Sequence, residues 1–195
     1  MIKLPPLVAL VVAIALPAEA HRLDECLQAT RLAVRTNRVD LSIDVTPGVA
    51  IADQFRSIVD SDQDGRFSTG ETETYALRVL EKSPVELDGR PLKVELMEVT
   101  FPSTREMKTG QGVIRIRAMA MFATLSAGPH QLHLRNNHLP NISIYLVNAM
   151  KPDDGAIEIR RQSRNWYQTQ YGLEFEVLPS AGPNEYSLPQ DGEAP

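Results

Sequence analysis

The stretch VDLSIDVTPGVAIADQFRSIVDSDQDGRFSTGE, Val39 to Glu71, changes its period twice, and those changes set the architecture of the chain. Val39, Leu41, Ile43 and Val45 alternate with Asp40, Ser42 and Asp44, the period-2 pattern of a half-buried strand. Pro47-Gly48 ends it. From Val49 to Val59 the apolar residues fall at Ile51, Phe55, Ile58 and Val59, which is helical spacing. The chain then enters DSDQDGRFSTGE, Asp60 to Glu71, where carboxylates recur at alternate positions.

That order of residues suits a hard cation. Ca²⁺ takes six to eight oxygens at about 2.3–2.6 Å, and a tight loop supplies them from alternate side chains. Asp60, Asp62 and Asp64 stand at loop positions 1, 3 and 5, and Gly65 at position 6, where the reversal wants a positive φ. Arg66 offers its carbonyl at position 7. Ser68 contributes at position 9, directly or through water, and Glu71 closes the set at position 12 from the start of a helix. Ser68 and Glu71 also form an S-x-x-E capping box, so the outgoing helix begins inside the loop. Phe67 at position 8 is the apolar residue that faces inward.

Beyond the loop, Tyr75, Ala76, Val79 and Leu80 make one stripe of a helix that stops before Pro84. A helix–loop–helix over 49–82 is thus inserted between strands. Short alternating runs surround it: Ala29 to Arg35, Val85 to Leu87, Leu92 to Phe101, Gly112 to Phe122, Gln131 to Leu134, Ile142 to Val147, Ala156 to Arg160 and Leu173 to Leu178. Asp88-Gly89 reads as a two-residue hairpin turn. Strands at this spacing predict a mostly-β fold, a β-sandwich over 21–178 with the helical insertion, α+β overall. No second loop of this kind is present, so the apolar stripe of the insertion must rest on the β domain or on a second copy of the chain.

Composition narrows the class. With 195 residues and 43% hydrophobic content the chain can bury one substantial core. A net charge of −5 argues against nucleic acid or an anionic membrane as partner. Residues 1–20 read as a cleaved signal peptide: Lys3, an apolar run from Leu7 to Leu16 too short to span a bilayer, then Ala18-Glu19-Ala20. A soluble exported chain beginning at His21, periplasmic or secreted, is the expectation. Residues 179–195 carry no apolar periodicity and read as a disordered tail.

Other residues invite a chemical reading. His21, together with His130, His133 and His138, offers an alternative: a periplasmic protein handling Ni, Cu or Co. Odd spacing puts His130 and His133 on opposite faces of a strand, and all three later histidines otherwise read as surface or edge residues. Cys26 is the single cysteine and reads as a small core residue. Trp166, Tyr167 and Tyr171 read as core or sheet-edge packing, or as a stacking platform for a ligand. No nucleophile elbow, zincin motif or P-loop is present, and a non-catalytic protein is expected.

The loop Asp60 to Glu71 resembles the EF-hand proteins, with each ligand position matched across its twelve residues. The resemblance implies one Ca²⁺ held by Asp60, Asp62, Asp64, Arg66, Ser68 and Glu71. More loosely, HRLDECLQAT, DLSIDVTPGVA and YLVNAMKP make the chain similar to bacterial exported β domains with one embedded loop of this kind. Such domains precede the membrane part of nickel/cobalt efflux proteins and of hydrogenase/urease accessory proteins. That likeness favours a periplasmic address and leaves a membrane transporter, or a second copy of the chain, as the partner to look for.

Overall fold

A computed structural model describes residues 24–153 and 155–179. The stretch expected to be a signal peptide, His21 and nearly all of the tail lie outside the described residues.

The fold is mostly β and is built from two five-stranded sheets. In chain order the strands are β1 (Cys26–Val34), β2 (Arg38–Pro47), β3 (Val85–Leu87), β4 (Arg90–Pro91), β5 (Glu95–Thr100), β6 (Ile114–Met121), β7 (Gly128–Arg135), β8 (Ser143–Ala149), β9 (Ile157–Arg164) and β10 (Gln170–Val177). One sheet runs β5-β6-β2-β1-β8 and the other β4-β3-β7-β10-β9. Pairing is antiparallel except for β1 with β8, where Cys26 lies beside Ser143 and Leu32 beside Ala149 in parallel.

The alternation that predicts β2 is the reason it works. Val39, Leu41, Ile43 and Val45 are buried, and in register beside them on β6 stand Ala120, Ala118, Ile116 and Ile114. The second sheet contributes Leu132 and Leu134 from β7 and Tyr171, Leu173, Phe175 and Val177 from β10 to the same core cluster. At Asp88-Gly89 both residues have positive φ, +49° and +75°, which matches the right-handed twist of the hairpin β3–β4.

Strand limits differ from expectation mainly in length. β1 begins at Cys26 and β9 reaches Arg164, while the predicted run Leu92 to Phe101 shortens to β5, an edge strand with a bulge between Leu96 and Glu98, and the hairpin partner of β3 is the preceding β4. A short helix, α3 (Thr104–Lys108), was not expected; Ser103 and Glu106 cap it as an S-x-x-E box, and Met107 seats it in the core.

The insertion leaves the first sheet at the end of β2 and returns to the second at β3. It consists of a 3-10 turn (Val49–Ile51), α1 (Ala52–Val59), the acidic loop and α2 (Thr69–Glu81). Within one chain, the β domain answers the question of what covers its apolar stripe. Tyr75 of α2 meets Phe55 of α1 edge-on at 5.4 Å, Phe101 after β5 at 5.6 Å and His138 of the β7–β8 loop at 5.4 Å. Phe101 in turn meets Phe67 of the loop at 5.3 Å. Each such edge-to-face pair adds about 0.5–1.5 kcal/mol beyond area burial. Downstream, the Asn137 N–H donates to the Lys82 carbonyl at 2.9 Å and fixes the end of α2.

The Tyr75 hydroxyl is buried with no hydrogen-bond partner. Tyr75→Phe should therefore leave thermal stability unchanged or raise it by up to about 1 kcal/mol, since a buried hydroxyl without a partner is removed. Tyr75→Ala, which empties the centre of the aromatic contact, should cost about 3–5 kcal/mol. Chemical denaturation of both variants checks this pair of outcomes.

Candidate metal centre

Local hydrogen bonds shape the loop before any ion is considered. The Asp64 N–H donates to Asp62 Oδ1 at 3.1 Å, and the Arg66 N–H to Asp64 Oδ1 at 2.7 Å, so successive aspartates close short turns on their own backbone. The Gly65 N–H reaches back to Asp60 Oδ2 at 3.0 Å. Gln63 and Gly65 take positive φ, +61° and +83°. A side chain at Gly65 would meet no hard wall, so the left-handed backbone itself calls for glycine.

These turns bring ligand oxygens of Asp60, Asp62 and Glu71 within 4.8 Å of one another, a group able to hold a metal ion. Asp60 is 3% exposed. Its Oδ1 is buried without a hydrogen-bond partner, while Oδ2 takes the Gly65 N–H and lies 3.6 Å from Arg56 Nη1. A buried carboxylate oxygen with no donor is costly, and a cation on that side offsets the cost. Of the other sequence-predicted ligands, Asp64 stands outside the grouped oxygens. Ser68 directs its hydroxyl to Glu71 Oε2 at 2.9 Å and accepts from the Glu71 N–H at 3.4 Å.

Glu71 is held from two sides. Oε2 accepts the Ser68 N–H at 3.0 Å and its hydroxyl; Oε1 accepts the Ser61 N–H at 2.5 Å and the Ser61 hydroxyl at 2.9 Å. The Ser68 hydrogen bonds, backbone then side chain, and after them those of Ser61 hold its pKa down to about 2. Glu71 is thus ionised, and aimed, across the working pH range. Ser61 is the residue that sequence reading missed: it is no candidate ligand at loop position 2, yet it orients the Glu71 carboxylate.

Among the described residues, His130, His133 and His138 do not assemble. His130 places its ring nitrogens 2.7 Å from Asp88 Oδ2 and 2.9 Å from the Ser126 carbonyl, and stacks on Phe175. His133 lies on the opposite face of β7, exposed, as the odd spacing predicts. His138 corrects the expectation of a surface residue. It is buried, its N–H donating to Asn136 Oδ1, and its carbonyl accepting from Gln28, Ser143 and Tyr145. Neither ring nitrogen has a partner. Among the described residues no histidine joins a three-ligand group.

Cys26 is fully buried, and burial pushes its thiol up to about 12, against the opposing hydrogen bond of Ser143. The aromatic trio divides. Tyr171 is core, as one expectation had it, whereas Trp166 is 92% exposed beside an exposed Tyr167 at the β9–β10 turn.

Compared with family models, characterised proteins and solved structures, the chain matches none.

His138 supplies a pH prediction. Burial, and secondarily the charge of Arg78, lowers its pKa from 6.5 to about 4. The unfolded chain binds the proton more readily, so the contribution of His138 to stability should be constant above about pH 6.5. It should fall as pH drops towards 4, by up to about 3 kcal/mol, and level off below. Denaturation midpoints between pH 7 and 4, compared with those of His138→Leu, should show the variant's curve flatter across this window.

Proposed function

We propose that the chain is a calcium-binding protein with a single EF-hand-type site, a non-catalytic binding or accessory module of the exported kind. Its ion braces the helical insertion against the β-sandwich. Asp60, Asp62, Asp64 and Glu71 supply carboxylate oxygens, Arg66 its backbone carbonyl, and Ser68 a contribution through water. The observation that carries this is Asp60: a carboxylate 3% exposed, with one oxygen buried and without a donor, within 4.8 Å of ligand oxygens of Asp62 and Glu71.

The donor set favours calcium over the nickel, copper or cobalt alternative. The grouped atoms are all carboxylate oxygens, which suit hard cations; imidazole and thiolate, which select later transition metals, are absent from the group. Calcium is favoured over magnesium because a twelve-residue loop closing on a two-oxygen Glu71 suits six to eight longer bonds better than an ideal octahedron. Affinity of extracellular modules, Kd about 10⁻⁴–10⁻³ M, suits a staple in an external compartment.

Calorimetric titration of the purified chain should give one Ca²⁺ per chain, and Asp60→Ala should abolish the heat. At a hundred times Kd, Ca²⁺ should raise unfolding stability by about 2.7 kcal/mol in the wild type and not in the variant. Absence of binding up to about 10 mM Ca²⁺, beyond the extracellular range, would overturn the proposal.

A further inference from the structure

We infer that Arg56 is a built-in counter-cation that holds the affinity of the loop for divalent ions down; this rests on the calcium reading above. Arg56 belongs to the last turn of α1, four residues before Asp60, the spacing at which helical side chains meet. Its Nη1 lies 3.6 Å from Asp60 Oδ2 and 3.8 Å from where a Cβ on Gly65 would sit, so the guanidinium lies against the sharp turn of the loop. Its Nε is buried without a partner. The Arg56 carbonyl accepts the Asp60 N–H at 2.8 Å, which ties the same residue to the first ligand through the backbone as well.

The two oxygens of Asp60 thus have separate surroundings. Oδ2 faces the Gly65 N–H and Arg56; Oδ1 has no partner and is the oxygen left for an ion. Arg56 does not compete with the ion for the lone pairs of Asp60 Oδ1. It acts through space, placing a unit positive charge about 6–8 Å from a divalent ion bound at Oδ1, by addition of carboxylate and ligand bond lengths. At that distance, in a water-like dielectric, the repulsion corresponds to roughly a sevenfold change in affinity, and salt screens it. The cation lies near the C-terminal end of α1, where the helix dipole favours positive charge. An opposite role is the sharp alternative: if Arg56 were needed to hold Asp60 in its ligating pose, removing it would weaken the site.

The test is calorimetric Ca²⁺ titration of the wild type, Arg56→Gln, Arg56→Met, Arg56→Lys and Arg161→Gln. It is run at about 0.01 M and about 1 M salt, where the Debye length is about 30 Å and about 3 Å. Circular dichroism first establishes that each variant is folded. At low salt both neutral variants at position 56 should tighten Kd by about three- to tenfold, and the gain should shrink below about twofold at high salt. Arg56→Lys should stay within about twofold of the wild type, because the charge is kept. Arg161→Gln makes the same charge change on β9, the far edge of the second sheet, and should shift Kd by less than about 1.5-fold. Equal or weaker binding by the neutral position-56 variants, or a gain no larger than that of Arg161→Gln, would overturn the inference and leave the calcium site intact. A wild type that binds no Ca²⁺ would overturn the calcium reading and the inference together.

Discussion

Tyr75 is the contact on which the helical insertion depends. A helix pair of this size is too short to be stable in water without tertiary packing, so its apolar stripe needs a partner. Tyr75 supplies one at a single point, touching Phe55 within the pair, Phe101 beside the edge strand β5, and His138 in the loop between β7 and β8. Phe67 extends the contact into the acidic loop through Phe101. Phe67, at the eighth position of the loop, thus rests on an aromatic ring of the β domain. A loop whose eighth residue, incoming helix and outgoing helix are each tied to the same aromatic cluster is positioned by the sandwich.

That positioning explains the polar surroundings of the contact. Gln28, on the buried face of β1, donates to the His138 carbonyl at 2.8 Å and to Ser143 Oγ at 2.7 Å, and Asn136 donates to Gln28 Oε1 at 3.2 Å. The network fixes the β7–β8 loop, and with it the ring against which Tyr75 rests. Satisfied buried networks specify a unique arrangement more than they add stability. The unsatisfied atoms at the same place, both His138 ring nitrogens and the Tyr75 hydroxyl, lower stability locally and make the junction sensitive to acid.

Much of this was legible in the residues and some was not. Strict alternation in Val39 to Val45 gave β2 and its buried face, because a half-buried strand has no other way to sort its side chains. Asp88-Gly89 gave the hairpin, since few residues accept two consecutive positive φ values. The capping box of α3 was present as Ser103-Thr-Arg-Glu106 but went unread, for a five-residue helix is too short to show a period. Pairing of β1 with β8 across more than a hundred residues had no local signal at all. At the loop, spacing named the ligand candidates. It could not show that Asp60 is buried while Asp62 and Asp64 are exposed, nor that Ser61 would orient Glu71, because both follow from how α1 and α2 pack. The i, i+4 relation of Arg56 to Asp60 was available from the sequence as soon as α1 was placed.

A crystal structure of the chain grown with CaCl₂ tests the central claim most directly. The calcium reading predicts an ion peak at about 2.3–2.6 Å from Asp60 Oδ1, Asp62, Asp64, the Arg66 carbonyl and both Glu71 oxygens. It also predicts that Tyr75 stays packed on Phe101 and His138. An ordered loop with no ion at that point, or calcium bound elsewhere on the surface, would contradict it.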